Sequence, residues 1–239
     1  MPNWVKNKVT FIGQQDEVNL MLESIKTEES NNINYFDFEK IIPMPESLKI
    51  ESGSKSDIGF AIVKHLNGDS SELEKILSYS WTRVEKISTI DDLIEYFKSS
   101  NNYDYDELIK FGEISLENIK NYGHSNWYDW SCEKWGTKWN SSESFVDENT
   151  IWFETAWSTP EPVMIELSNK FPNINFIIEY ADEDIGGGNT GKYELKAGKE
   201  ILFELYDGIK ACEVWGYDPM DYFPNVFRDN RIDEILGDE

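Results

Sequence analysis

Cationic side chains, cysteine and histidine are all scarce in this 239-residue sequence: 22 Lys+Arg stand against 46 Asp+Glu, with two His and two Cys. The resulting net charge of −24 argues against a nucleic-acid binder, which neutralises phosphates with clustered cations, and equally against an anionic membrane surface. Cys132 and Cys212 allow at most one disulfide, and neither His65 nor His124 has a Cys or second His at ligand spacing, so no structural zinc site is expected. No apolar run approaches the ~18 residues of a membrane-spanning helix. The opening MPNWVKNKVT lacks the basic-then-apolar pattern of a secretory signal, so reduced thiols and a cytoplasmic location are expected.

What is abundant is aromatic and apolar: 39% hydrophobic and 14% aromatic residues suffice for a packed core and separate the chain from acidic disordered sequences. Residues 4 to 12 alternate and are rich in β-branched and aromatic side chains, which predicts a strand closed by Gly13. Val18, Met21, Leu22 and Ile25 mark a helix over 14 to 26, with Asp16 and Glu17 in its first turn. Phe36 to Ile42 reads as a second strand, ended by Pro43 and Pro45. Residues 46 to 124 read as short amphipathic helices: one over 58 to 66 capped by Asp57 and stopped at Asn67-Gly68, a stripe at Leu73, Ile76 and Leu77, and one after the Thr89 cap. Leu108 with Phe111, and Leu116 with Ile119, suggest two further turns.

Beyond Ser125, Ile151 to Trp157 is a strand by alternation, and Ser158-Thr159-Pro160-Glu161 opens a helix that stops at Pro172. Strands follow at 175 to 180, 192 to 196 and 200 to 205, and a short helix near 229 to 236. The order strand, helix, strand, helical block, strand, helix, strand, strand implies an α+β fold, a ferredoxin-like antiparallel sheet with helices on one face, split by a helical insertion. The corresponding domains are a core of 1–45 and 125–206, an insertion of 46–124 and an acidic C-terminal extension of 207–239.

Particular residues suggest a family. Met1-Pro2-Asn3-Trp4 with Asn7, Phe38-Glu39-Lys40-Ile41-Ile42-Pro43-Met44-Pro45, Trp135-Gly136-Thr137-Lys138-Trp139-Asn140, and Phe153-Glu154-Thr155-Ala156-Trp157-Ser158-Thr159-Pro160 resemble, in order, blocks of the YubB ferredoxin-like domain family. The resemblance implies the fold and a protein carried by phages, plasmids or related mobile elements, of unassigned activity. "Ferredoxin" there names a fold; two Cys cannot supply the four thiolates an iron–sulfur cluster takes, and no cofactor is expected.

Six of the nine Trp lie between Trp127 and Trp157. Trp4, Trp152 and Trp157 sit on strand segments and are expected in the core. Trp127, Trp130, Trp135 and Trp139 lie in Gly/Ser/Asn-rich surroundings and are the candidates for a binding surface. Glu154 and Glu179 are two carboxylates on predicted strands, and Glu154 is the one a ligand- or substrate-binding reading would use. Asp182-Glu183-Asp184 lacks a calcium-loop pattern and is expected to be a solvated turn, with partner binding as its functional reading. Gly186 to Lys192 imitates a phosphate-binding loop, but Tyr193 replaces the required Ser/Thr and the next residues read as strand, so a strand connection is expected.

The negative charge is uneven: residues 141–184 hold ten acidic side chains against one basic, residues 207–239 nine against three, while 185–206 are neutral. The favoured expectation is a non-enzymatic binding protein whose partner is a cationic host protein. An acidic mimic of DNA is the first alternative, and a small-ligand binder or enzyme built on the Trp-rich segment is the second.

Overall fold

The computed structural model describes residues 2–29 and 32–226. In chain order they form β1 (Trp4–Ile12), α1 (Gln15–Ile25), β2 (Thr27–Glu29), β3 (Asn32–Asn34), α2 (Ser54–Leu66), α3 (Ser71–Leu77), α4 (Ser80–Val84), α5 (Ile90–Ser99), α6 (Tyr105–Tyr122) and α7 (Trp127–Lys134). Then come β4 (Ser142–Asp147), β5 (Thr150–Ala156), α8 (Glu161–Lys170), β6 (Asn175–Asp182), β7 (Thr190–Lys196), β8 (Lys199–Leu205), α9 (Gly208–Trp215) and α10 (Pro219–Tyr222). The chain divides into two compact units, Met1–Pro43 with Ser131–Glu239, and Met44–Trp130. The helix expected at 229 to 236 lies outside the described residues.

The first unit is α+β. Its six-stranded antiparallel sheet has the order β4-β5-β1-β6-β7-β8, so β1 lies between β5 and β6. Alternation along β1 sorts the sheet into two faces: Val5, Asn7, Val9 and Phe11 are buried, while Trp4, Lys6, Lys8 and Thr10 are half-buried. Cross-strand register carries this division outward, because Val9 stands opposite Ile151 and Ile178, whereas Lys8 stands opposite Trp152 and Glu179. Helices α1 and α8 contribute buried Val18, Met21, Ile25, Val163, Met164 and Leu167 to the apolar side. On the other face, Ala211 and Val214 of α9 pack with Ala181.

Parity corrects one expectation. Trp4 and Trp152 share the lysine face and are half-buried, and Trp157 lies beyond the end of β5 and is exposed; none of the three is a core residue. A second correction concerns Phe36 to Ile42, which is a single 3-10 turn over Phe38–Lys40 instead of a strand. Phe36, Asp37 and Phe38 are all buried in succession, which a two-residue period does not permit, and the Asp37 carboxylate caps the turn by accepting the Glu39 N–H. The polar run before it forms the β2–β3 hairpin.

The second unit is helical, around a core of Ile58, Ala61, Ile62, Leu73, Leu93, Phe97 and Leu108. The Thr89 cap is present, its side chain accepting from Asp92 N–H and Asp92 reciprocating. Leu108 and Ile119 belong to one continuous α6, and α2 begins at Ser54 with Gly53 as its cap, so Asp57 lies inside the first turn. Helices α2 and α6 cross with backbones in contact: a Cβ on Gly112 would lie 2.1 Å from the Gly59 carbonyl oxygen and 2.6 Å from Val63 Cγ2. Gly112→Ala is therefore expected to lose about 2 kcal/mol, overpacking outweighing the better helix propensity of Ala. Denaturant titration measures this, and an unchanged midpoint would contradict the close crossing.

Candidate functional site

The motif residues around 135 to 141 are held from several sides within the first unit. Trp135 is buried and its indole N–H donates to Ile42 O at 2.9 Å. Gly136 adopts φ +77°, and a Cβ there would lie 2.6 Å from Pro162 Cδ. The Thr137 hydroxyl donates to Ala156 O at 2.7 Å, the Ser158 hydroxyl to Gly136 O, and the Ser131 hydroxyl to Lys138 O at 2.8 Å. Asn140 closes the segment: its amide donates to Asp37 at 2.7 Å and its carbonyl accepts the Phe38 N–H at 2.9 Å. Most of the motif is thus a buckle, and the ring it leaves exposed is Trp139.

At that end of the sheet three Trp converge. The rings of Trp4 and Trp139 are 6.0 Å apart, and the Lys138 ammonium lies 4.5 Å from the centroid of Trp139 and 5.1 Å from that of Trp157. Trp139 and Trp157 are 36% and 40% exposed, so the bracket opens to solvent. Trp157 sits at φ +73°, a left-handed conformation that costs a bulky residue about 1–2 kcal/mol. Its N–H donates to Asn3 O and its carbonyl accepts from the Asn189 side chain, both at 2.9 Å.

Asp182 ties these anchors together. It is 8% exposed, which corrects the expectation of a solvated turn for this residue alone, Glu183 and Asp184 being exposed, and its carboxylate accepts from Asn3 Nδ2 at 3.3 Å, Asn189 Nδ2 at 3.0 Å and the Asp184 N–H at 2.8 Å. Beside it, Glu183 bonds Trp4 twice: its N–H donates to Trp4 O at 2.8 Å, and its Oε1 accepts the Trp4 N–H at 3.0 Å. Glu183 and Asp184 are exposed next to the bracket's anchors. The Gly186–Gly188 stretch that follows is a turn, and Lys192 lies within β7.

Glu154 lies on the lysine face, opposite Lys6. Burial raises its pKa; Lys6 opposes the shift and Glu143 and Glu183 add to it. The same face carries groups the sequence reading passed over. Lys6 lies 5.3 Å from the Trp215 ring centroid, Trp215 stacks on Tyr217 at 5.7 Å and 10°, and Tyr217 stacks on Tyr222 at 5.4 Å and 15°. Burial raises the Tyr217 pKa, with Tyr222, Glu154 and Glu183 adding to the shift. The signal for these aromatics was the pattern Trp215-Gly216-Tyr217, within a segment read for its acidity alone.

The remaining Trp candidates do not join this bracket. Trp130 and Trp135 are 5% exposed and are core residues, corrections that follow from their place on or beside α7, a helix where an irregular segment was expected. Trp127 is half-buried, edge-on to Tyr128 at 5.7 Å, and belongs with Trp130 to the second unit. Among the described residues no group of three His, Cys, Asp or Glu could hold a metal ion. Chemically, the site offers aromatic faces to a cation and exposed carboxylates beside them.

Two tests follow. Glycine adopts φ > 0 freely, so Trp157→Gly is expected to be about 1 kcal/mol more stable than Trp157→Ala in thermal denaturation; equal stabilities would contradict backbone strain there. On the lysine face, burial would raise the Glu179 pKa, but Lys8 at 2.8 Å and the Tyr206 hydroxyl at 3.0 Å outweigh it and leave it lowered. A lowered folded pKa gives stability that is present above the ordinary carboxylate range and lost as pH falls through the folded value. Glu179→Gln should therefore destabilise at neutral pH and converge with the parent in acid, whereas Glu154→Gln, removing a raised pKa, should stabilise at neutral pH.

Residues 134–219 match the family described as the ferredoxin-like domain in Api92-like protein, a span running from the buckle through α9. Among solved structures, the crystal structure of protein api92 from Yersinia pseudotuberculosis aligns over 86% of this chain and 98% of its own, with 15% identity and a TM-score of 0.40. No curated protein matches the chain. Over its matched span, and in its antiparallel sheet with helices, the protein carries a ferredoxin-like α+β fold.

Proposed function

We propose that this is a non-enzymatic binding protein whose sheet-end bracket, Trp139 and Trp157 with Trp4 behind, receives a cationic segment of a partner protein. The observation that carries the reading is the Lys138 ammonium over two exposed Trp rings, at 4.5 and 5.1 Å: the chain's own lysine marks these faces as cation-accepting, and an incoming cationic side chain takes its place. Exposed Glu183 and Asp184 and a net charge of −24 favour the same class of partner and speed its encounter. A phage- or plasmid-borne origin belongs to the same proposal and rests on the motif resemblance to the YubB family; a host protein is then the natural partner, met inside the cell.

Nothing favours catalysis as strongly. The groups that act electrostatically on Glu154 are Lys6, Glu143 and Glu183, a patch of mixed charge. DNA mimicry requires a continuous row of unneutralised carboxylates, and on the lysine face the signs alternate, with Lys8 bonded to Glu179 and Lys192 to Glu194, each at 2.8 Å.

Calorimetric titration with lysine-rich, arginine-rich and uncharged peptides of equal length tests the reading. Cationic peptides are expected to bind, more weakly at high salt, with Trp139→Ala and Trp157→Ala each costing about tenfold in affinity. Equal affinity for the uncharged peptide, or no effect of either substitution, would overturn it.

A further inference from the structure

Among the described residues, the last strand of the sheet has no neighbour on its outer side. In the order β4-β5-β1-β6-β7-β8, strand β8 pairs with β7 alone, and all seven of its residues are exposed. Four of them are large and apolar: Ile201, Leu202, Phe203 and Leu205 are 57%, 39%, 54% and 69% exposed. An open strand edge with this side-chain content is a template for another strand.

Backbone pairing fixes which groups are open. The Tyr206 N–H donates to Thr190 O, so Tyr206 and, two residues back, Glu204 address β7. Phe203 and Leu205 therefore turn their N–H and C=O groups to the outer side. A register shift beside Leu195 leaves Ile201 as an extra residue on β8, and charged Lys199, Glu200 and Glu204 interrupt the strand; these are common edge protections, yet they leave Phe203 and Leu205 uncovered.

We propose that β8 is the interface of a two-fold homodimer, its occupant being the β8 of a second copy, paired antiparallel about Phe203. Self-complementarity argues for that partner. With Phe203 on the dyad, Leu205 faces Ile201 of the other copy, so the exposed apolar side chains meet one another on one face. The same register sets Lys199 opposite the exposed Asp207, an attractive pair at each end of the interface. Charge selects this surface over others. The described segments 141–184 and 207–226 carry net charges of −9 and −3, so copies approaching through them repel, whereas residues 185–206 hold three basic and three acidic side chains. The six strands of each copy then form one continuous sheet across the dyad.

Sedimentation velocity of the full chain across a range of concentrations is the test. A dimer is expected, with Phe203→Lys raising the dissociation constant at least about tenfold while circular dichroism stays unchanged, because the side chain is exposed in the single chain. Leu205→Lys is the second variant and should act alike. Register is read separately: Phe203→Cys places two thiols across a hydrogen-bonded pair with Cα atoms about 5.5 Å apart, a separation that suits a disulfide, so oxidation should give a covalent dimer that the parent and Leu202→Cys do not. A parent that sediments as a monomer at every concentration, or a dimer that both lysine variants leave intact, would overturn the proposal.

Discussion

The placement of β1 between β5 and β6 is the constraint from which the rest of the first unit follows. Residues Val5 to Thr10 of this strand each have a partner on both sides, so its parity is imposed on the neighbours. Val5, Val9 and Phe11 commit one face to the core, and Trp4, Lys6 and Lys8 are thereby committed to the other. A slip of one residue would exchange the two sets, placing lysines against α1 and α8, which is why the register is strongly specified. Even Asn7, on the buried side, is held: its amide donates to Val5 O at 3.0 Å and to the Thr155 hydroxyl at 2.9 Å.

Where that face runs out, the chain uses polar bonds instead of apolar packing to fix geometry. The buckle from Trp135 to Asn140 binds the end of β5 and the turn at Phe38–Lys40, and the Asp182 carboxylate holds Asn3 and Asn189, which in turn hold Trp157. Strain at Trp157 is sustained because both its N–H and its carbonyl are bonded from different strand ends. The outcome is an aromatic bracket on an acidic protein whose backbone is tied from both sides, the feature on which the proposed binding of a cationic side chain rests.

Much of this architecture was legible in the sequence, and the failures have physical causes. Strongly patterned elements such as β1, α1, β5, α8 and β6 were read where they occur, because alternation or helical spacing coincides with burial in them. Phe36 to Ile42 misled because Phe36-Asp37-Phe38-Glu39 alternates like a strand; the Asp37 cap and Asn140 decide its conformation, and Asn140 is distant in sequence. Strand β4 went unread because it is an edge strand whose residues alternate between half-buried and exposed, with a register irregularity between Ser142 and Phe145. As for the site, Trp139, Asp182, Glu183 and Asp184 were marked, but the partners that give them meaning, Trp4, Lys138 and Trp157, are assembled by long-range pairing that no local window contains. Trp130 and Trp135 were marked for the same compositional reason and proved to be core.

The central claim is that one end of the sheet presents Trp139 and Trp157 as a receptor for a cation. Its most direct measurement is a titration followed by the indole N–H resonances of the nine tryptophans, with a lysine-rich peptide as the added probe. The account predicts saturable shifts at Trp139 and Trp157 while buried Trp130 and Trp135 stay fixed. Shifts absent from Trp139 and Trp157, or spread equally over the buried rings, would contradict it.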